Sequence, residues 1–313
     1  MSKIVNLAVS AALSFAATGA FAEAPASNER HTLSEICAGD SCEWEKVAEC
    51  DGFIEGINFD ANGALWMLAY FKGEVLSVEN GECTTVGEAT GAPNGAKIGP
   101  DGNLIVADRT AGIMSVDLTT GERTSLYPSF GVAQFRGLND LSIAADGGIY
   151  FTEPYGSDAI NRVGRVYYVA PGEGSQPELF YEGLAFPNGI AVSADGQRVY
   201  VSEFAENRIM SLPSKATKNP FDTPFVIGRM EGGIGPDGLT VDADGNIYAA
   251  HFFAGEIVIF DANGFPYGTI RLPEGSGLFT TNLAIHDGYL YVTEAMQNIV
   301  WRLAVNTAPL TGN

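Results

Sequence analysis

Positive charge and histidine are what this chain has least of. Its 313 residues hold 17 Lys and Arg against 38 Asp and Glu, with three His, for a formal net charge of −21 at pH 7. A surface of that sign repels a phosphate polyanion, so nucleic acid is not an expected partner. There is no H-E-x-x-H and no G-x-S-x-G, so neither a zinc hydrolase site nor a serine elbow has its motif. The four cysteines include no C-x₂-C pair, which leaves a Cys₄ zinc site without its spacing. After residue 22 no run is apolar for the roughly 20 residues that a spanning helix needs. Sustained helical periodicity is missing there too.

The first 22 residues differ. One cation, Lys3, precedes an apolar, small-residue stretch from Ile4 to Gly19 that is broken by Asn6, Ser10 and Ser14. Ala20-Phe21-Ala22 then offers an A-x-A cleavage site before Glu23, the order of a secretory signal peptide. The expected organisation is a signal peptide at 1–22, a cysteine-bearing arm at 23–50, a repeat region at 51–305 and a tail at 306–313. Export to the periplasm or beyond follows, with no membrane attachment after cleavage and a monomer as the expected state. Cys37, Cys42, Cys50 and Cys83 are an even count in an exported chain, which favours two disulfides. Three connectivities are open, and Cys37–Cys42 with Cys50–Cys83 is preferred.

What the chain has in quantity is a repeat. A turn followed by a strand recurs at Asn62-Gly63, Asp101-Gly102, Asp146-Gly147, Asp195-Gly196, Asp244-Gly245 and Asp287-Gly288. The turn glycines stand 39, 45, 49, 49 and 43 residues apart. Asn-Gly and Asp-Gly suit tight hairpins because these residues tolerate positive φ, and the flanking runs are β-branched or aromatic. Units of this length with about four strands each are propeller blades. The expected fold is all-β: a six-bladed β-propeller of four-stranded antiparallel blades around a central channel. The arm around Trp44 and Val47 could supply the outer strand of the last blade.

Register then singles out side chains. Eight residues before the turn glycine stand Glu55, Asn94, Asn139, Asn188 and Asp237, and Thr281 occupies the place in the sixth unit. Each opens an innermost strand, so these oxygens should converge at one end of the channel. Carboxylate and amide oxygens without Cys or His are hard-cation chemistry, which points to Ca²⁺ or another divalent ion. A lone Asn or Asp at such a place is as readily a turn residue. The shared register, and Glu55 in it, favours the ring. The loops beside it hold Tyr70, Phe71, Tyr155, Phe204, Phe252 and Met296, an apolar rim suited to a small molecule.

A second register reads Ala69, Asp108, Glu153, Glu203, His251 and Glu294. Its carboxylates are expected to be structural acceptors. His251 is either a proton carrier near the ion or a satisfied core histidine. Gly233-Ile-Gly235-Pro-Asp-Gly238 matches G-x-G-x-x-G but leads into a strand, so it is not read as a dinucleotide site. Asp242-Ala-Asp244-Gly245 lacks the downstream ligands of a calcium loop.

From Gly52 to Leu303 the chain resembles the gluconolactonase and regucalcin-like (senescence marker protein) family of six-bladed propellers. The resemblance rests on Leu138-Asn-Asp-Leu-Ser-Ile with Asp146-Gly-Gly-Ile-Tyr-Phe-Thr-Glu-Pro-Tyr, on Pro187-Asn-Gly-Ile-Ala-Val with Asp195-Gly, and on Pro236-Asp-Gly-Leu-Thr-Val with Asp244-Gly. It implies a calcium-dependent hydrolase of a small lactone, with Glu55, Asn139, Asn188 and Asp237 as ligands. It also implies Asp237, with Asn139, as the catalytic pair. Asn94 matches a channel residue of the family, and Arg136 lies near, but out of register with, a substrate-contacting arginine. The remaining rim candidates for substrate contact are Tyr70, Tyr155, Phe204, His251, Phe252, Thr281 and Met296. A phosphotriesterase or arylesterase on a related propeller, and a non-catalytic calcium-stabilised binding propeller, are the alternatives.

Overall fold

The computed structural model describes residues 32–38 and 42–310. The expected signal peptide at 1–22 and the end of the tail at 311–313 lie outside the described residues. Among those described, no helix is long and apolar enough to cross a membrane.

Six four-stranded antiparallel sheets lie between Trp44 and Ala304; five run from the channel outwards in sequence order, and the sixth takes its outermost strand from the start of the chain. The innermost strands of blades 1 to 6 are Ile54–Phe59, Pro93–Ile98, Leu141–Ile143, Pro187–Val192, Gly235–Val241 and Thr280–His286. Each contacts the innermost strands of both neighbouring blades, and the sixth contacts the first, so they close a ring about one axis. The fold is a six-bladed β-propeller.

The burial pattern explains why blades form. The second strands Leu65–Ala69 and Leu104–Asp108 are buried at every residue, whereas the outer strand Glu82–Val86 has no buried residue. A strand buried on both faces must be sandwiched between sheets. The apolar core is accordingly divided into slabs between neighbouring blades. One joins Tyr200 and Ile209 of blade 4 to Leu239 and Ile247 of blade 5, and another joins Tyr248 and Ile257 of blade 5 to Leu283 and Leu290 of blade 6.

The ring is closed by chain from both ends. Trp44–Glu49 is the outermost strand of blade 6, antiparallel to Ile299–Ala304, with a bulge between Lys46 and Ala48. Cys50, just after that strand, is bonded to Cys83 in the outer strand of blade 1. Cys37 pairs with Cys42, and Cys37 also bridges to Val305. No free cysteine remains among the described residues.

Candidate active site

The six turns lie at one end of the channel and the ring positions at the other. In five blades the innermost strand bulges next to its ring residue, with register shifts at Glu55/Asn58, Pro93/Gly95, Pro187/Ile190, Pro236/Leu239 and Thr280/Leu283. A bulge leaves residues unpaired and re-aims side chains. Here it accompanies very close strand packing: a Cβ on Gly189 would stand 2.2 Å from the Asp237 carbonyl oxygen, and one on Gly95 would stand 2.1 Å from Asp140 Oδ1. The ring carbonyls are pinned from behind by hydroxyls of the second strands. Thr152 donates to the Asn188 carbonyl at 2.7 Å and Ser202 to that of Asp237 at 2.7 Å.

The site brings together Glu55, Asn94, Asn188 and Asp237, all buried, with Asn139 half-buried. Asn188 hydrogen-bonds the Asp237 carboxylate. Two further residues join them. Asp140 follows Asn139, and Asn282 follows Thr281; both are buried, and Asn282 hydrogen-bonds both Glu55, at 3.4 Å to Oε2, and Asp140. One amide of blade 6 thus reaches carboxylates of blades 1 and 3.

Three carboxylates in one desolvated space oppose one another. Burial, and then the charges of Asp237 and Asp140, push Glu55 well above the usual carboxylate range. Burial and the charge of Asp140 do the same to Asp237. Asp140 is pushed up to about 6 by burial, against the opposing pull of Lys97 and the Leu141 N–H. Such a set is relieved by a cation, and its donors are all oxygens, which fits Ca²⁺. Among the described residues no three acid, histidine or cysteine side chains form a metal cluster by themselves. A cation held here would need oxygens beyond those three acids, and the Asn188 side chain beside Asp237 is one such donor.

Three residues further down each innermost strand lies a second channel layer: Asn58, Lys97, Ser142, Ala191, Thr240 and Ala284. Lys97 is its one charged member. It is buried, and Asp140 is the charge acting on it. Four of these residues, Asn58, Lys97, Thr240 and Ala284, line a cavity of about 890 Å³ at the turn end, whose rim includes His286 stacked on Phe59.

Other sequence candidates lie elsewhere. Thr281 is fully buried and its hydroxyl donates to the Ile54 carbonyl at 2.8 Å, so it serves the backbone. His251 is fully buried, its Nδ1–H donating to Glu256 Oε1 at 3.0 Å, with Nε2 unpartnered and turned towards Gly233. The carboxylates of its register are acceptors for the incoming loops. Asp108 takes the Ala92 N–H at 3.0 Å, Glu153 the Arg136 N–H at 2.9 Å, Glu203 the Ala185 N–H at 2.8 Å and Glu294 the Phe279 N–H at 3.1 Å.

The rim is one step beyond the ring. The residues two before the ring positions pair with those leaving the second strands: the Phe53 carbonyl accepts from Tyr70 N–H at 3.0 Å, Ala92 from Arg109 at 3.0 Å, Phe186 from Phe204 at 3.1 Å and Phe279 from Ala295 at 2.8 Å. Phe252 pairs with Gly235 in blade 5. Arg109 Nη1 donates to the Tyr70 hydroxyl, and the Arg136 guanidinium lies 6.0 Å from the Tyr155 ring centre. Met296 and Tyr155 are exposed.

Residues 53–296 match the protein family described as SMP-30/Gluconolactonase/LRE-like region. The chain belongs to that family. Lactonase drp35 of Staphylococcus aureus (strain MW2) is 28% identical over 256 residues, covering 76% of each chain. Among solved structures, a gluconolactonase from Xanthomonas campestris superposes with a TM-score of 0.75 at 22% identity, covering 87% of this chain and 92% of that one. A calcium-binding regucalcin from Agrobacterium tumefaciens gives 0.71 at 22% identity, covering 86% and 95%. At that identity the two structures speak for the fold. The family match spans all six ring positions, from Glu55 to Thr281, and ends at Met296, just before the third strand of blade 6, Ile299–Ala304.

Proposed function

We propose that the protein is a calcium-dependent lactonase that opens a small lactone at the ring. The observation carrying this is the convergence of Glu55, Asp140 and Asp237 with Asn188 and Asn282 at one end of the channel, a buried set of oxygens whose mutual repulsion calls for a cation. Family membership and the lactonase relatives support the reaction class. Glu55, Asn139, Asn188 and Asp237 would hold the ion, which would supply Lewis-acid polarisation of the ester carbonyl and charge for the developing oxyanion.

The residues do the rest. A carboxylate oxygen of Asp237 takes a proton from water as the water oxygen bonds to the carbonyl carbon. The ring C–O bond breaks, and the proton passes from Asp237 to the departing alkoxide, leaving a hydroxy acid. The Asn188 hydrogen bond fixes the orientation of Asp237 during both transfers. Asn139, the most open of the four, shares ligation with orienting the carbonyl.

Proton release from a panel of lactones, with and without chelator, tests the proposal. Asp237→Asn should keep calcium, bound more weakly, and lose roughly 10² or more in kcat, as general-base losses do. Glu55→Gln should lose activity mainly with its calcium and recover as calcium is raised. Full kcat for Asp237→Asn at saturating calcium would leave Asp237 a ligand alone. Turnover by the chelated protein would rule out the metal-centred mechanism, and calcium binding without turnover of any ester would make this a binding propeller.

A further inference from the structure

The ring mouth is lopsided in its chemistry. Starting in blade 1, Phe53 packs edge-on against Tyr70 at 6.2 Å between ring centres, and in the other direction lies 6.5 Å from Phe279 of blade 6. Phe279 stacks on Phe252 of blade 5 at 4.6 Å. Phe252 meets Phe204 of blade 4 at 5.8 Å, and Phe204 meets Phe186 at 5.4 Å. These contacts form one unbroken arc over four blades, all within two residues of a ring position or its paired strand. Phe71 and Phe253, at 74% and 49% exposed, extend it towards solvent. On blades 2 and 3 the equivalent places hold Ala92 and Gly137, and the rim there is set by Arg109 and Arg136.

Backbone conformation separates this arc from a chance collection of apolar residues. Phe53 has φ +63° and Phe186 φ +56°, both left-handed, and the same position in blade 3 is Gly137 at +74°. In blades 1, 3 and 4 the entry therefore turns through the left-handed region, where glycine costs nothing and a side chain is strained, whereas Ala92, Gly235 and Phe279 lie outside it. Phenylalanine kept there against that strain is the pattern of a ligand site.

We propose that the mouth selects a lactone bearing a large apolar substituent, a long alkyl chain or fused aryl group, over a polyhydroxylated sugar lactone, with the arc from Phe53 to Phe186 as its binding surface. This rests on the lactonase reading for the reaction, and on the arc alone for the substituent. The arc spans several ring widths, more than one small lactone ring would cover. A polyol laid against it would lose hydration without regaining hydrogen bonds, because the arc offers ring faces and the one phenol of Tyr70.

Three measurements test this. For δ-valerolactone, δ-octalactone and δ-dodecalactone, kcat/KM should climb by up to ~4-fold for each added methylene, and δ-gluconolactone should be the poorest substrate. Phe53→Gly and Phe186→Gly lose ring contacts but relieve a left-handed side chain, so both should stay folded, yet should lose ~10-fold more kcat/KM on δ-dodecalactone than on δ-valerolactone. In chelator, 8-anilinonaphthalene-1-sulfonate should bind the wild type, be displaced by δ-dodecalactone, and bind both variants more weakly. Preference for δ-gluconolactone with no chain-length dependence overturns the proposal. So does a pair of variants that lose binding to phosphatidylcholine vesicles while their lactone profile stays that of the wild type, because the arc would then face a membrane. If no lactone is turned over but dye binding and displacement behave as stated, the lactonase reading fails and the apolar site stands.

Discussion

Lys97 decides how much negative charge the ring presents. Glu55, Asp140 and Asp237 are all buried, and burial lowers the lysine's own proton affinity while Asp140 restores part of it. With the three acids ionised and Lys97 protonated, the two channel layers carry two net negative charges, the complement of one divalent ion. Lys97→Met keeps the length of the side chain and removes that positive charge, so calcium affinity should rise on the order of tenfold, equivalent to about 1.4 kcal/mol. Calorimetric titration of calcium into the two proteins checks this, and equal affinities would mean channel water screens the lysine. The glycines beside the ring act through space alone. Gly189 has ordinary φ, but its Cβ would meet the Asp237 carbonyl at 2.2 Å, so Gly189→Ala should destabilise the fold by about 3 kcal/mol, as overpacking does. Urea unfolding measures it. These residues were hard to read in the sequence for a physical reason. The ring itself follows from counting back from each turn, but Asp140 and Asn282 occupy the bulged position that is glycine in the other four blades. A bulge lets neighbours in sequence share one site, which strict alternation does not anticipate.

At the scale of the strand, blade number and the innermost strands were legible because Asn-Gly and Asp-Gly punctuate each blade at the same place. Legible in the arm were Trp44 and Val47, which lie in the strand that closes blade 6. Which faces that strand would present, and the short hairpin Ser129–Phe130 with Ala133–Gln134 before blade 3, were not legible, since neither repeats elsewhere in the chain. The rim aromatics at Phe53, Phe186 and Phe279 carry no such signal for a different reason: each stands just before its inner strand, outside the loops that follow the second strands. The closing strand is held to blade 6 by its ladder and to blade 1 by Cys50–Cys83, across a separation of 33 residues. Replacing both cysteines by serine frees a loop whose closure is worth about 4 kcal/mol in the chain-entropy account. Cys37–Cys42, with a separation of 5, should be worth about half of that. Denaturant midpoints of the two double variants should therefore differ, with Cys50→Ser/Cys83→Ser the lower. Equal midpoints would show that the closing ladder holds without its covalent tie.

For the whole molecule, the channel is where six separately packed slabs meet, and the apolar slabs lie between blades and leave the axis itself to polar groups. Among the described residues, Asn282 links Glu55 and Asp140 across that axis, where three acids repel one another. A cation bound by Glu55, Asn139, Asn188 and Asp237 would tie blades 1, 3, 4 and 5 to one point. Calcium at a hundred times its dissociation constant should then add about 2.7 kcal/mol to stability, and chelation should lower the melting temperature reversibly. A separate consequence distinguishes ion binding from simple salt effects. Glu55→Gln with Asp237→Asn removes two of the repelling charges, so this double variant should melt higher than the wild type in chelator and should gain nothing from calcium. Calorimetry of both proteins in chelator and in excess calcium gives the four melting temperatures needed. If chelation leaves the wild type unchanged and the double variant melts no higher, the acids are reconciled by water in the channel and not by an ion, and the lopsided mouth above them would have to work without one.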